Sequence, residues 1–131
     1  MTRDWFLVKE SNQNMDVAVV CIDALYALEQ MAGNRRWNDE RIETSLSNCE
    51  RFLSEFVAHI NSDPFLFALA DSTARSMRLR PSELLERFKT ARMEIAERKI
   101  SKSTGTLLHS IIRTAEGNAI RKCELMSPRI H

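Results

Sequence analysis

Apolar residues recur every three to four positions along most of the chain, which is the spacing of amphipathic α-helices. The first clear pattern covers residues 15–32, where Asn14 is a typical N-cap and Gly33 suits the left-handed position after a helix. Asp16, Asp23 and Gln30 fall opposite the apolar face. That face is broad enough to contact two neighbours, which favours a helical bundle. Its residues are Val17, Val20, Cys21, Ala24, Leu25, Leu28 and Met31.

Four further segments repeat this helical pattern, each with its own start signal. They are predicted near residues 38–61, 64–78, 81–99 and 105–126. Asn38 caps the second helix, Asp63 and Pro64 begin the third, and Pro81 begins the fourth. Residues 101–105 interrupt the pattern before the fifth helix. The third segment is the most apolar, so we expect it at the centre of the bundle.

The first thirteen residues contain the only strand-like run, Trp5-Phe6-Leu7-Val8. No second alternating segment is available nearby to pair with it. We therefore expect residues 1–13 to form an N-terminal arm. Trp5 and Phe6 would dock on the helices or on another subunit, because leaving an aromatic ring in water forfeits about 1.5–3 kcal/mol.

Length and composition agree with one compact all-α domain of about five helices. A chain of 131 residues can bury a single core, and no linker divides residues 1–131. Hydrophobic residues make up 44% and charged residues 28%, which is typical of globular proteins. Only 3 glycines and 3 prolines occur, too few for the many turns of an all-β fold.

The sequence also gives expectations about location. Its longest near-apolar run, residues 17–28, is too short to cross a bilayer, and residues 1–13 lack the pattern of a secretory signal. Cys21, Cys49 and Cys123 are odd in number and widely separated, so we expect reduced thiols and no disulfide framework. These features predict a cytoplasmic protein without membrane contact.

The sequence contains no recognisable catalytic or metal-binding motif. His59, His109 and His131 are scattered, and Glu55 with His59 is the nearest metal-like pair. The 3 glycines are isolated, so no phosphate-binding loop is present. We expect no cofactor, no metal site and no catalytic residue, and therefore a non-enzymatic protein.

Charge is distributed unevenly although the net charge is only +1. Residues 1–70 carry 6 basic and 11 acidic side chains, a net charge of −5, whereas residues 71–131 carry 13 and 7, a net charge of +6. Such asymmetry is typical of a nucleic-acid-binding face, or of a fold whose acidic and basic helices attract each other.

The basic half contains a corner at residues 74–89 where two predicted helices meet. Ala74, Leu79 and Leu84 occupy apolar positions around the turn, with Phe88-Lys89 at the inward face and basic end of its second helix. Residues 70–89 resemble the helix-turn-helix of bacterial regulators, especially the AraC type. The resemblance implies a second helix in the major groove, with base-facing candidates Ser82, Glu83, Glu86 and Arg87.

Two arginines depart from that motif. Arg78 stands where the motif usually has glycine in a left-handed turn, a conformation that costs other residues about 1–2 kcal/mol. Arg80 replaces the usual capping serine. Two acids on the second helix, Glu83 and Glu86, also oppose attraction to a polyanion. Phosphate contact therefore fits this surface better than base reading.

Two functions remain open at this point. The first is a nucleic-acid-associated protein whose basic surface, within residues 75–122, contacts phosphates. The alternative is an adaptor, inhibitor or assembly subunit that binds protein, with Trp5, Phe6 and an exposed Met93 as docking residues and self-association as one form. Clustered cations would favour nucleic acid, and cations alternating with glutamate would favour the alternative. The candidates for contact with nucleic acid or an acidic protein surface are Arg75, Arg78, Arg80, Arg87, Lys89, Arg92, Lys99, Lys102, Arg121 and Lys122.

Overall fold

The chain is an all-α bundle, as predicted. A computed structural model describes the backbone of residues 3–32 and 39–126 and the side chains of residues 13–31 and 40–118. Over these residues it forms five helices and no strand. They are α1 (Arg3–Ala32), α2 (Asp39–His59), α3 (Pro64–Met77), α4 (Pro81–Ala96) and α5 (Lys102–Met126). Within that described part, no helix is both long enough and apolar enough to cross a membrane.

The first helix begins earlier than its sequence pattern indicated. α1 is helical from Arg3, whereas the predicted start lay near residue 15, so most of the predicted arm is backbone continuous with the helix. No glycine or proline occurs between Arg3 and Gln13, and nothing therefore interrupts the helix there. Asn14 lies buried inside α1, and its predicted role as an N-cap is wrong.

The other end of α1 also differs from the periodic pattern. Met31, placed by the pattern on the buried face, is exposed, and the neighbouring Gln30 is buried. Both residues lie in the last turn before α1 ends at Ala32. Which side chains are buried at a helix end depends on the path of the chain beyond it, so the 3.6-residue period alone does not predict their burial.

The predicted starts of α3 and α4 are confirmed. Asp63 has an extended backbone, and its carboxylate accepts hydrogen bonds from the N–H groups of Phe65 (2.9 Å) and Leu66 (3.3 Å). Pro64 and Pro81 occupy the first turns of their helices, where a missing N–H leaves no hydrogen bond unmade. These local signals fix the end of the short connection between α2 and α3 and the entry into α4.

Two helices end on an arginine in the left-handed conformation. Arg78 follows α3 with φ 57°, and Arg98 follows α4 with φ 60°. The next residues close the ends, because Leu79 N–H donates to the Ala74 carbonyl (2.9 Å) and Lys99 N–H to the Glu94 carbonyl (2.8 Å). Both ends are Schellman motifs, in which glycine is the usual left-handed residue.

The side chain of Arg98 forms contacts that offset the strain of its left-handed backbone. The side chain of Arg78 forms no comparable contact with a described residue. Arg98 Nη2 lies 2.5 Å from Glu43 Oε2 on α2, and its Nη1 donates to the Ile95 carbonyl (2.8 Å). Hydrogen bonding from Arg98 lowers the pKa of Glu43. Arg78 is exposed and forms no ion pair with any described side chain.

This difference predicts different outcomes for the same substitution at the two arginines. Arg78→Gly is expected to raise the free energy of unfolding by about 1 kcal/mol, because relief of the left-handed strain exceeds the added entropy of the unfolded chain. Arg98→Gly, the matched control, is expected to give a smaller gain or a loss because the contacts to Glu43 and Ile95 disappear. Urea unfolding of the two variants measures both values. A loss of stability at Arg78, or equal gains at both sites, would contradict the expectation.

The connection between α4 and α5 forms a compact polar cap. α4 ends at Ala96 and α5 begins at Lys102, so the break falls earlier than the predicted boundaries of 99 and 105. Ser101 Oγ accepts from the Thr104 N–H (3.2 Å), which starts α5 before Gly105. The Glu94 carboxylate accepts from the Ser101 N–H (2.8 Å) and the Thr104 hydroxyl. Partial burial opposes ionisation of Glu94, but these hydrogen bonds outweigh it and lower its pKa.

The last helix, α5, is the centre of the bundle. It packs most extensively along α1 and also contacts α3 and α4, while α2 packs against α1 and α4. The expectation that α3 would be central is wrong, since Phe67 on α3 is 57% exposed. Leu107, Leu108 and Ile111 of α5 are fully buried. The core therefore depends on bringing the first and last described helices together.

An aromatic stack joins α2 to α4 inside this core. The rings of Phe56 and Phe88 lie 4.1 Å apart with an interplanar angle of 23°, and both side chains are fully buried. Phe52 meets Phe56 edge to face at 5.5 Å. Offset stacking and edge-to-face contact are the favoured arrangements of aromatic rings, so this cluster fixes the separation of the two helices.

Candidate partner-binding surfaces

The corner at residues 74–89 has the backbone that a helix-turn-helix requires at its turn. Arg78 adopts the left-handed conformation that the motif assigns to glycine. Arg80 occupies the N-cap of α4 with extended backbone but makes no side-chain cap. Its Nε instead donates to Glu83 Oε1 (2.8 Å), which, with a contribution from the Arg80 N–H, lowers the pKa of Glu83. The arginine at the start of α4 is thus held by an acid of the same helix.

Two more of the predicted contact residues pair with acids on their own helices. Arg75 Nη2 lies 3.0 Å from Asp71 Oδ2, one turn earlier on α3. Lys89 Nζ lies 3.3 Å from Glu86 Oε1 on α4. These are exposed pairs of the kind that contribute little to stability. Each nevertheless places a carboxylate beside a cation that a phosphate would have to approach.

Arg87 lies in a polar groove between α4 and the start of α5. The groove has a volume of 440 Å³, and Arg87 donates from Nη1 to Ser103 Oγ. Glu83 and Glu86 line the same groove, so its lining carries more negative than positive charge. The remaining lining residues are Thr90, Ser103 and Thr104. An anion in this groove would lie near two carboxylates as well as the guanidinium.

Four predicted cations form neither an ion pair nor a side-chain hydrogen bond with a described residue. They are Arg78, Arg92, Lys99 and Lys102. Arg121 and Lys122 lie on the helical backbone of α5, but their side chains are outside the described residues. Arg75, Arg80 and Lys89 are thus paired with acids, whereas Arg92, Lys99 and Lys102 are not.

The predicted docking residues have different outcomes. Met93 is 59% exposed on α4, as expected, while the side chains of Trp5 and Phe6 lie outside the described residues. Phe67, on the helix that was expected at the centre, is exposed beside a small apolar cavity of 70 Å³ between α3 and the start of α4. Single exposed apolar side chains are normal on protein surfaces and do not by themselves define a site.

A continuous apolar stripe on α1 was missed by sequence reasoning. Its four members lie at i, i+4, i+7 and i+11, and each is between 43% and 50% exposed. This spacing places them in one row along the helix, on the side facing away from the buried Val17, Cys21 and Ala24. We call it the α1 stripe. It consists of Met15, Val19, Ile22 and Tyr26.

The signal for the α1 stripe was present in the sequence as a second apolar row. The buried row of α1 satisfies the helical period by itself, so the remaining apolar residues were left without an assigned neighbour. Their spacing of four and three residues is that of a and d positions in a heptad. A helix that is apolar on two sides is typical of one with packed partners on both.

Metal chemistry and family resemblance add no further site. Within residues whose side chains are described, no group of three or more histidine, cysteine, aspartate or glutamate residues could hold a metal ion. No protein-family model, no curated protein and no solved structure matches the chain. The surfaces described above therefore provide the basis for a functional proposal.

Proposed function

We propose that the chain is a non-catalytic protein-binding protein that holds a partner on the α1 stripe. The observation that carries the proposal is the row of four half-exposed large apolar side chains on α1. Contiguous apolar surface of this kind is typical of protein interfaces, because covering it releases water at about 25 cal/mol per Å². The pairing of Arg75, Arg80 and Lys89 with acids supports a protein partner over a polyanion.

Loss of the stripe should abolish partner binding without unfolding the bundle. Val19→Gln and Ile22→Gln together remove the centre of the row while keeping helix-forming side chains. We expect a crosslinked partner from the native host to be recovered with the unaltered chain and lost with this variant, as quantified by mass spectrometry. Thermal unfolding should change little, because both side chains are exposed.

Met93→Gln is the matched control, since Met93 is an exposed apolar residue on a different helix. It should retain the partner. Retention of the same partner by the stripe variant would contradict the proposal. So would loss with Met93→Gln alone, which would move the interface to α4.

Nucleic-acid binding is the second candidate, favoured by the left-handed turn at Arg78 and by the four cations that bond to no described side chain. If four phosphates are contacted, affinity for duplex DNA or RNA should fall about 100-fold between 50 and 200 mM salt. Fluorescence anisotropy measures this slope. Arg92→Gln should weaken binding, whereas Arg75→Gln should have less effect because Arg75 already pairs with Asp71. Absence of binding at low salt would rule this candidate out.

A further inference from the structure

The α1 stripe has an acidic border. Asp16 and Asp23 each follow a stripe residue, Met15 and Ile22, and both acids are exposed. They are seven residues apart, so they occupy the same position in successive heptads along one side of the stripe. Neither forms an ion pair with a described side chain. No lysine or arginine occurs in α1 between residues 13 and 31.

A polar groove continues this border toward α2. The groove has a volume of 380 Å³ and is lined by Asp23 together with Glu40 and Arg41 of α2. Thr44, Ser45 and Asn48 complete its lining with oxygen atoms that accept hydrogen bonds. Two of its three charged lining residues are carboxylates. It is large enough for the end of a lysine or arginine side chain reaching over the edge of the stripe.

These features limit what can cover the stripe. A second copy laid antiparallel, with its stripe in register, would bring Asp16 and Asp23 against the same two acids, so like charges would meet at the border. An anionic membrane surface would be repelled for the same reason. A heptad helix with cations at its flanking positions satisfies both the apolar row and the border, because flanking charges select the partner of a heptad helix.

We infer that the partner presents an amphipathic α-helix whose apolar row is flanked by lysine or arginine residues seven positions apart. This inference rests on the proposed function and adds the chemistry of the partner. The cations lie opposite Asp16 and Asp23, and the one opposite Asp23 also enters the groove beside Glu40.

The test uses two designed peptides of about four heptads, with leucine at the a and d positions. One carries lysine at e and g, the other glutamate, so neither pairs readily with itself. We expect the lysine peptide to bind the full chain at least tenfold more tightly than the glutamate peptide, by titration calorimetry. Asp16→Lys with Asp23→Lys should reverse this preference. Asp71→Lys with Glu86→Lys, at acids of α3 and α4, makes the same change in net charge and should leave the preference unchanged.

The outcomes separate this inference from the proposed function. Equal binding of both peptides, abolished by Val19→Gln with Ile22→Gln, would overturn the charge selection but support the stripe as an interface. Self-association of the chain by sedimentation, abolished by the same variant, would identify a second copy as the occupant and overturn the basic helix. If neither peptide binds and crosslinking to host proteins does not depend on the stripe, both the inference and the proposed function fail.

Discussion

Phe88→Ala is expected to lower the free energy of unfolding by about 3–5 kcal/mol, because it opens a cavity in a fully buried site. Phe88 stacks on Phe56 and so connects α4 to α2. Among the described side chains, no other pair of aromatic rings joins these two helices, so the substitution weakens their packing directly. Since domains are stable by about 5–15 kcal/mol, the variant should be only marginally folded at 37 °C. Urea unfolding followed by circular dichroism measures the change.

Phe67→Ala is the matched control because it makes the same chemical change at a side chain that is 57% exposed. It should alter stability by about 0.5 kcal/mol or less. A double-mutant cycle of Phe56→Ala and Phe88→Ala should give a coupling free energy of about 0.5–1.5 kcal/mol, in addition to the contribution of the buried apolar area. Similar losses at Phe67 and Phe88 would show that the stack does not hold α2 against α4.

The thiols of Cys21 and Cys49 are expected to react with an alkylating reagent at least 1000-fold more slowly in the folded chain than in urea. Both are free and fully buried, so reaction requires the bundle to open. An opening free energy of about 5 kcal/mol reduces the reactive population by more than three orders of magnitude. Mass spectrometry of the two alkylated peptides measures each rate separately. Comparable rates in the folded and unfolded chain would contradict the burial of α1 against α2.

Alkaline pH should weaken the packing of α1 against α2 around Cys21 and Cys49. A hydrogen bond with Cys49, together with burial, raises the pKa of Cys21 well above its ordinary value. The raised pKa contributes stability that is complete below about pH 8.5, the ordinary thiol pKa, and is lost as the pH rises above it. The free energy of unfolding should therefore fall more steeply above pH 8.5 in the unaltered chain than in Cys21→Ala. Parallel curves would show that this thiol does not contribute to the pH dependence.

Local chemistry made the helix boundaries predictable where a single residue type determines them. Asp63 before Pro64 starts α3, and Pro81 starts α4, because caps and proline act within one turn of the chain. The start of α1 was not predictable in this way. Asn14 has a side chain suited to capping, yet the helix continues through it, since no glycine or proline precedes it within α1.

The candidate site was less predictable because it depends on contacts between helices. Periodicity showed that α1 is apolar, but which of its two rows is buried depends on where α5 and α2 pack. The basic half of the chain was evident from composition, whereas its pairing with acids depends on side-chain conformations. Arg98 illustrates this, since its acidic partner Glu43 lies on a different helix and is distant in the sequence.

The packing of α1 along α5 also determines the order in which the chain can complete its fold during synthesis. A ribosome adds residues at about 5–20 per second, so α1 emerges several seconds before α5 exists. Until then the face of α1 that carries Ala24 and Leu28 has no α5 to cover it. A nascent chain that stops before Lys102 would present two apolar faces of α1 to chaperones. Once α5 is synthesised and packs along α1, only the α1 stripe stays exposed.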